Sequence, residues 1–131
     1  MTNASETLLV IVPCFNEAAS VAGVIQDIRA HADFADIVVV DDGSSDATSL
    51  EAAKWARCIR LPVNLGIGGA VQTGIRFADR NGYGACVQVD GDGQHPADQI
   101  AKLLTMMRSK QAHIVVGSRY LDDNDGFKLH S

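Results

Sequence analysis

Short apolar runs alternate along the chain with stretches whose apolar residues recur at helical spacing. Leu8 to Val12 is the first run. Its continuous apolarity predicts a strand buried on both faces, as in parallel sheets, with Pro13 as its stop. Asn16 is placed to cap the next helix, with Glu17 in the first turn, and Val21, Val24, Ile25 and Ile28 give that helix its apolar stripe. Ile37 to Val40 reads as a second strand, ended by Asp41-Asp42-Gly43. Ser44, Ser45 and Asp46 offer caps for a helix reaching Ala56. Ile59 to Val63 is a shorter third strand. The glycine-rich Asn64-Leu65-Gly66-Ile67-Gly68-Gly69 then opens a helix to Arg80. Cys86 to Val89 predicts a fourth strand. Pro96 suits the first turn of a further helix, in which Ile100, Leu103, Leu104 and Met107 share a face. Ile114 to Val116 is a fifth strand, followed by Gly117-Ser118-Arg119, and Asp122 onward reads as a polar, mobile tail.

The order is β-α repeated, which predicts an α/β, Rossmann-like, mostly parallel sheet with alternating helices. Every polar oddity falls at the carboxyl end of a strand, where open α/β sheets bind ligands. Pro13 to Glu17, Asp41 to Asp46, Asp90 to His95 and Gly117 to Arg119 are therefore expected around one crevice. The chain has 131 residues, 47% hydrophobic and 21% charged, enough for one core-forming domain. A net charge of -5 argues against a nucleic-acid partner, which needs a basic footprint. No apolar run approaches the roughly 20 residues of a membrane helix, and Met1 to Glu6 lacks the layout of a signal peptide. Cys14, Cys58 and Cys86 are widely spaced and read as small buried residues in a reducing compartment, so a cytoplasmic protein is expected.

The chemistry centres on Val89-Asp90-Gly91-Asp92-Gly93-Gln94-His95-Pro96. Asp90 and Asp92 lie two apart at a strand end, so a turn could bring both carboxylates to one point. Two such carboxylates repel unless a cation sits between them, and a divalent metal shared with phosphate oxygens fits; the alternative is a solvated acidic turn. Asp41 and Asp42 could accept from a nucleobase or ribose, or could simply make an Asp-Gly turn. The loop Gly66, Gly68, Gly69 fits neither a dinucleotide fingerprint nor a P-loop, because position 71 is Val and no Gly-Lys-Ser/Thr occurs. Those glycines serve close packing or backbone approach to a ligand. Arg119 could neutralise a diphosphate or remain a surface charge. His95 could be a ligand, a base or a structural residue. His31, His113 and His130 read as surface or strand-edge residues, and no serine–histidine–aspartate grouping suggests a hydrolase.

Val10-Ile11-Val12-Pro13-Cys14-Phe15-Asn16-Glu17, Val39-Val40-Asp41-Asp42-Gly43-Ser44-Ser45-Asp46, Asn64-Leu65-Gly66-Ile67-Gly68-Gly69-Ala70, Val89 to Pro96 and Gly117-Ser118-Arg119-Tyr120 occur in this order. Jointly they resemble glycosyltransferase family 2, with the GT-A fold. The nearest likeness is to dolichol-phosphate mannose synthases and bacterial polyprenyl-phosphate glycosyltransferases. The resemblance implies that Pro13, Phe15 and Glu17 line a nucleotide pocket and that Asp41 and Asp42 help hold base and ribose. It implies that Asp90 and Asp92, with Gln94 in the same shell, bind Mg²⁺ or Mn²⁺ against the donor diphosphate, with Asp90 and Gly91 also beside the nucleotide. Asp92 and Arg119 would act in catalysis, Arg119 contacting the diphosphate or the acceptor phosphate. The implied reaction is inverting sugar transfer from a UDP- or GDP-linked donor to a polyprenyl phosphate, at the cytoplasmic face of a membrane.

Members of that family run further than this chain. The expected layout is a polar N-terminal tail at 1–6, a donor-binding half of an incomplete GT-A domain at 7–121, and a polar tail at 122–131. An incomplete domain would leave an open sheet edge, favouring a homo-oligomer or partner capture, and nucleotide binding is expected ahead of sugar transfer. Another class of function is a catalytically silent nucleotide-binding module that acts by interaction. A nucleotidyltransferase would want a basic, glycine-rich loop after the first strand, where Pro13 to Glu17 has none, and a nicotinamide-dependent oxidoreductase is disfavoured by the failed fingerprint.

Overall fold

The computed structural model describes residues 7–92, 114–115 and 129–130. Its strands are β1 (Leu8–Cys14), β2 (Asp36–Asp41), β3 (Arg57–Arg60), β4 (Ala85–Gln88), β5 (Ile114–Val115) and β6 (Leu129–His130). The helices among these residues are α1 (Val21–His31), α2 (Thr48–Ala53) and α3 (Ile67–Arg80). The sheet order is β3-β2-β1-β4-β5-β6. All neighbours are parallel except β5 and β6, which pair antiparallel. This is the α/β sheet expected from the alternating pattern. The segment read as a polar tail nevertheless holds β6, which lies along β5, and His130 falls on that strand as expected. Pro96, Ile100, Leu103, Leu104, Met107, Gly117, Ser118 and the rest of the tail lie outside the described residues.

Side-chain alternation divides the core between the two sheet faces. Leu8, Val10, Val12, Ile37, Val39 and Val87 pack on one face with Val21, Val24, Ile25 and Ile28 of α1 and Ala52 of α2. Leu9, Ile11, Val38, Val40 and Cys86 pack on the other with Ala70 and Ala78 of α3. Burying one such valine, leucine or isoleucine contributes roughly 1.5–3 kcal/mol. Gly74 lets α3 come down on β1, because a Cβ there would run into the Ile11 side chain.

Several boundaries differ from expectation for local reasons. β1 continues through Pro13 to Cys14. Ile11 uses its backbone toward β4, where its carbonyl accepts from Val89 N–H at 2.9 Å. Two residues on, Pro13 therefore faces the side that β4 has already left, so its missing N–H breaks no ladder bond. β3 spans Arg57–Arg60 rather than Ile59 to Val63; Leu61 N–H still donates to Asp41 O, and Pro62 then ends the pairing. α2 stops at Ala53, short of Ala56, with Ala47 as its N-cap and no side-chain cap. Asn16 does not cap α1. The helix starts at Val21, so Glu17 lies outside its first turn. Asn16 sits instead at φ 53°, in the left-handed region that asparagine tolerates.

Candidate functional site

The chain fills one side of the sheet with β2 and β3 and then crosses to the other with β4. The order thus reverses between β1 and β4, and the carboxyl ends of these strands frame a crevice. A cleft of about 100 Å³ lies there, lined by Pro13, Cys14, Phe15, Glu17, Asp42, Ile67 and Ala70. Pro13, Phe15, Glu17 and Asp42 meet there as their sequence positions predicted. Ile67 and Ala70 were not foreseen as site residues. They stand in the first turn of α3, directly after the glycine loop, which was the available signal.

Asp41 is not among these residues. It is wholly buried, it does not line the cleft, and its Oδ1 accepts from Ser44 N–H at 3.0 Å. Its place on β2 gives it the parity of Ile37 and Val39, which face α1 and α2. Its Oδ2 is buried without a hydrogen-bond partner among the described residues. Asp42 lies past the strand end and turns the other way. Its Oδ1 accepts from Leu65 N–H at 2.7 Å, and its carbonyl accepts from Asn64 Nδ2 at 3.1 Å. Asp42 thus fixes the loop that carries Ile67 while itself lining the cleft.

The β1–α1 loop is pinned to the β2–α2 loop. Asn16 N–H donates to Ser44 Oγ at 2.8 Å, and Asn16 Oδ1 accepts from Ser45 N–H at 2.9 Å. Glu17 N–H donates to Thr48 Oγ1 at 2.9 Å and Ala18 N–H to Asp46 Oδ2 at 3.3 Å. Asp46 also accepts from the Thr48 hydroxyl and from its N–H. Ser44 and Ser45, read as helix caps, hold Asn16 in place, while Asp46 holds Ala18 and Thr48, and Thr48 holds Glu17.

Asp90 is half-buried, with Oδ1 accepting from Gln88 Nε2 at 3.0 Å, and Asp92 is exposed. Gly91 between them is buried against β1, where a Cβ would strike Cys14 Sγ and approach the Pro13 carbonyl at 3.2 Å. Among the described residues no three histidine, cysteine or acidic side chains converge to hold a metal ion. The donor set still suits a hard divalent cation shared with phosphate oxygens, since Asp90 and Asp92 offer carboxylates on the turn that packs against Cys14 and Pro13 of the cleft wall. Gln94, His95 and Arg119 lie outside the described residues.

Glu17 registers the local charge. Its Oε1 accepts from Phe15 N–H at 3.0 Å, and its Oε2 is buried without a partner among the described residues. Burial pushes its pKa up, and the negative charges of Asp92, Asp90 and Asp46 push the same way, against the Phe15 hydrogen bond. A carboxyl whose pKa rises on folding holds its proton more tightly folded than unfolded. Its contribution is present below the unfolded value, near the ordinary 4.5 of a glutamate, and is lost as pH rises through the folded value. Glu17→Gln keeps the acceptor for Phe15 N–H and removes the charge. The variant is expected to melt higher than the parent at neutral pH, with the gap closing as pH falls toward 4.5. Melting curves across that range check it, and a gap that widens on acidification would contradict it. The cysteines stay thiols at neutral pH. Burial raises Cys58 and Cys86 to about 11 and Cys14 further, and all three are free.

The family model described as glycosyl transferase family 2 matches residues 9–131. The chain is 31% identical to the UDP-N-acetylglucosamine–dolichyl-phosphate N-acetylglucosaminyltransferase of Methanococcus voltae, over 88% of this chain and 53% of that protein. It is 33% identical to the undecaprenyl-phosphate mannosyltransferase of Micrococcus luteus, over 86% of this chain and 48% of that one. It thus spans about half the length of these relatives. Glucosyl-3-phosphoglycerate synthase from Mycobacterium tuberculosis, crystallised with Mn²⁺, UDP and glucosyl-3-phosphoglycerate, superposes with a TM-score of 0.56 at 28% identity. That match covers 67% of this chain and 34% of the solved one.

Proposed function

The chain belongs to glycosyl transferase family 2, a family of GT-A glycosyltransferases, and from that membership we propose that residues 7–121 bind a nucleoside-diphosphate sugar for transfer to a polyprenyl phosphate. The observation that carries the reading is the packing of the Asp90-Gly91-Asp92 turn against Cys14 and Pro13, two residues that line the cleft where the strand order reverses. The UDP in the mycobacterial enzyme supports a UDP-linked donor over a GDP-linked one, and the names of the relatives support a polyprenyl-phosphate acceptor.

In this reading Pro13, Phe15, Ile67 and Ala70 give the base an apolar seat and exclude water from it. Asp42 and Glu17 present carboxylates to base and ribose donors. Asp90 and Asp92 would hold Mg²⁺ or Mn²⁺, which neutralises the diphosphate as a leaving group when bound. An anionic phosphate acceptor attacks without prior deprotonation, so the site needs no strong protein base. Attack opposite the leaving diphosphate inverts the anomeric centre. With a polyprenyl-phosphate acceptor the reaction would lie at a membrane surface, which this reading takes to be the cytoplasmic face. Among the described residues no helix is long and apolar enough to cross one.

Photolabelling tests the site directly. With 5-azido-UDP and 8-azido-GDP as probes, one of them is expected to label peptides containing Phe15 or Ile67, and the matching sugar nucleotide should compete. Labelling confined to other segments, or no competition, would count against the reading.

A further inference from the structure

We propose that Ser20 is a positioning residue that locks the acidic turn to the wall of the nucleotide cleft. Its hydroxyl donates to the Gly91 carbonyl at 2.8 Å, across 71 residues of sequence. Gly91 is the residue between Asp90 and Asp92, so this bond holds the peptide that leads directly into Asp92 and is one residue from Asp90. The Glu17 carbonyl lies 3.5 Å from the same hydroxyl, and Ser20 N–H donates to it at 3.1 Å. A hydroxyl has one proton, and the shorter contact takes it. Ser20 thereby ties the loop carrying Phe15 and Glu17 to the turn carrying Asp90 and Asp92.

The turn has a second support, and it is steric. Gly91 rests against Cys14 Sγ and the Pro13 carbonyl, which leaves no room for a side chain. Contact with Cys14 sets how deep the turn sits. It does not set the rotation of the peptide plane, which the Ser20 hydrogen bond fixes. The loop on the other side does not need Ser20, because Asn16, Glu17 and Ala18 are pinned to Ser44, Ser45, Asp46 and Thr48. Losing the hydroxyl should therefore loosen the acidic turn and spare the apolar cleft. Cation and nucleotide would still bind, but no longer at a set distance from each other.

The inference rests on the donor-site reading, and its test separates the two. UDP and GDP are titrated calorimetrically, with and without Mn²⁺, into the parent, Ser20→Ala and Ser20→Thr, with thermal melts of each. Ser20→Ala is expected to weaken Mn²⁺-dependent nucleotide binding by roughly fivefold, the scale of one lost hydrogen bond, and to leave metal-free binding unchanged. Ser20→Thr, which retains the hydroxyl, should restore the parent value. Equal losses with and without Mn²⁺, or no loss, in a variant whose parent binds nucleotide would overturn the role of Ser20 alone. Absence of binding by the folded parent would overturn the donor-site reading together with it. If Ser20→Ala fails to melt cooperatively, Ser20→Cys, with its weaker donor, replaces it, and a parent-like Mn²⁺ dependence in that variant overturns the role.

Discussion

Changing Asp90 and Asp92 together to asparagine is expected to remove the cation-dependent part of nucleotide binding and leave the fold intact. Asp92 is exposed and Asp90 half-buried, so neither substitution opens a cavity. Asparagine keeps an oxygen for the Gln88 amide, which now bonds Asp90 at 3.0 Å. What is lost is charge, on which a hard cation depends. Loss of a residue that merely orients a metal ligand costs 10–100-fold, so loss of two carboxylate ligands should exceed roughly 100-fold in Mn²⁺-dependent affinity. The same change should ease the burden on Glu17, whose pKa both aspartates help to raise, so the variant should melt no lower than the parent. Mn²⁺ binding followed by electron paramagnetic resonance, beside melting curves, checks both halves. Parent-like Mn²⁺ binding by the variant would remove the turn from the site.

Gly43→Ala is expected to cost a large share of the stability. Gly43 adopts φ 73°, and a Cβ there would meet Asn64 N and Val63 C, both at 2.7 Å. Those are backbone atoms and cannot rotate away. The left-handed conformation costs a non-glycine residue about 1–3 kcal/mol, and overpacking adds about 1–3 more. Against a typical stability of roughly 5–15 kcal/mol, that is a large share. The turn also sits between Asp42, which holds Leu65, and Ser44, which holds Asn16, so nucleotide binding should fall with stability. Gly66→Ala supplies the comparison: φ is 86° there, but nothing lies within 4 Å of the added carbon. It should show the conformational cost alone. Denaturant unfolding of the two variants separates the terms, and equal losses would show that the Asn64 and Val63 contacts relax freely.

The architecture was legible because burial on both faces leaves continuous apolar runs. Leu8 to Val12 and Ile37 to Val40 announce central parallel strands, and the stripe from Val21 to Ile28 announces α1. Element ends were less legible because partners far along the chain decide them. Pro13 is tolerated in β1 only because β4 has ended beside it. Asn16 is drawn from its cap position by Ser44 and Ser45, 28 and 29 residues away. The motifs were found where strand ends carry polar residues, but strand parity decides which of two consecutive aspartates reaches the cleft. It turns Asp41 inward and Asp42 toward the cleft. The glycine loop failed every phosphate-loop pattern, and its contribution is to bring Ile67 and Ala70 to the cleft wall. Ser20 had no signal at all, because its partner is a backbone carbonyl 71 residues on.

Calorimetric titration of UDP and GDP into the purified chain, each with and without Mn²⁺, tests the donor-site claim most directly. Binding of one nucleotide, strengthened by Mn²⁺ and no longer strengthened by it in the Asp90→Asn, Asp92→Asn variant, is the expected result and would name the base. A folded chain that binds neither nucleotide in the presence of Mn²⁺, or binds both equally in parent and variant, would contradict it.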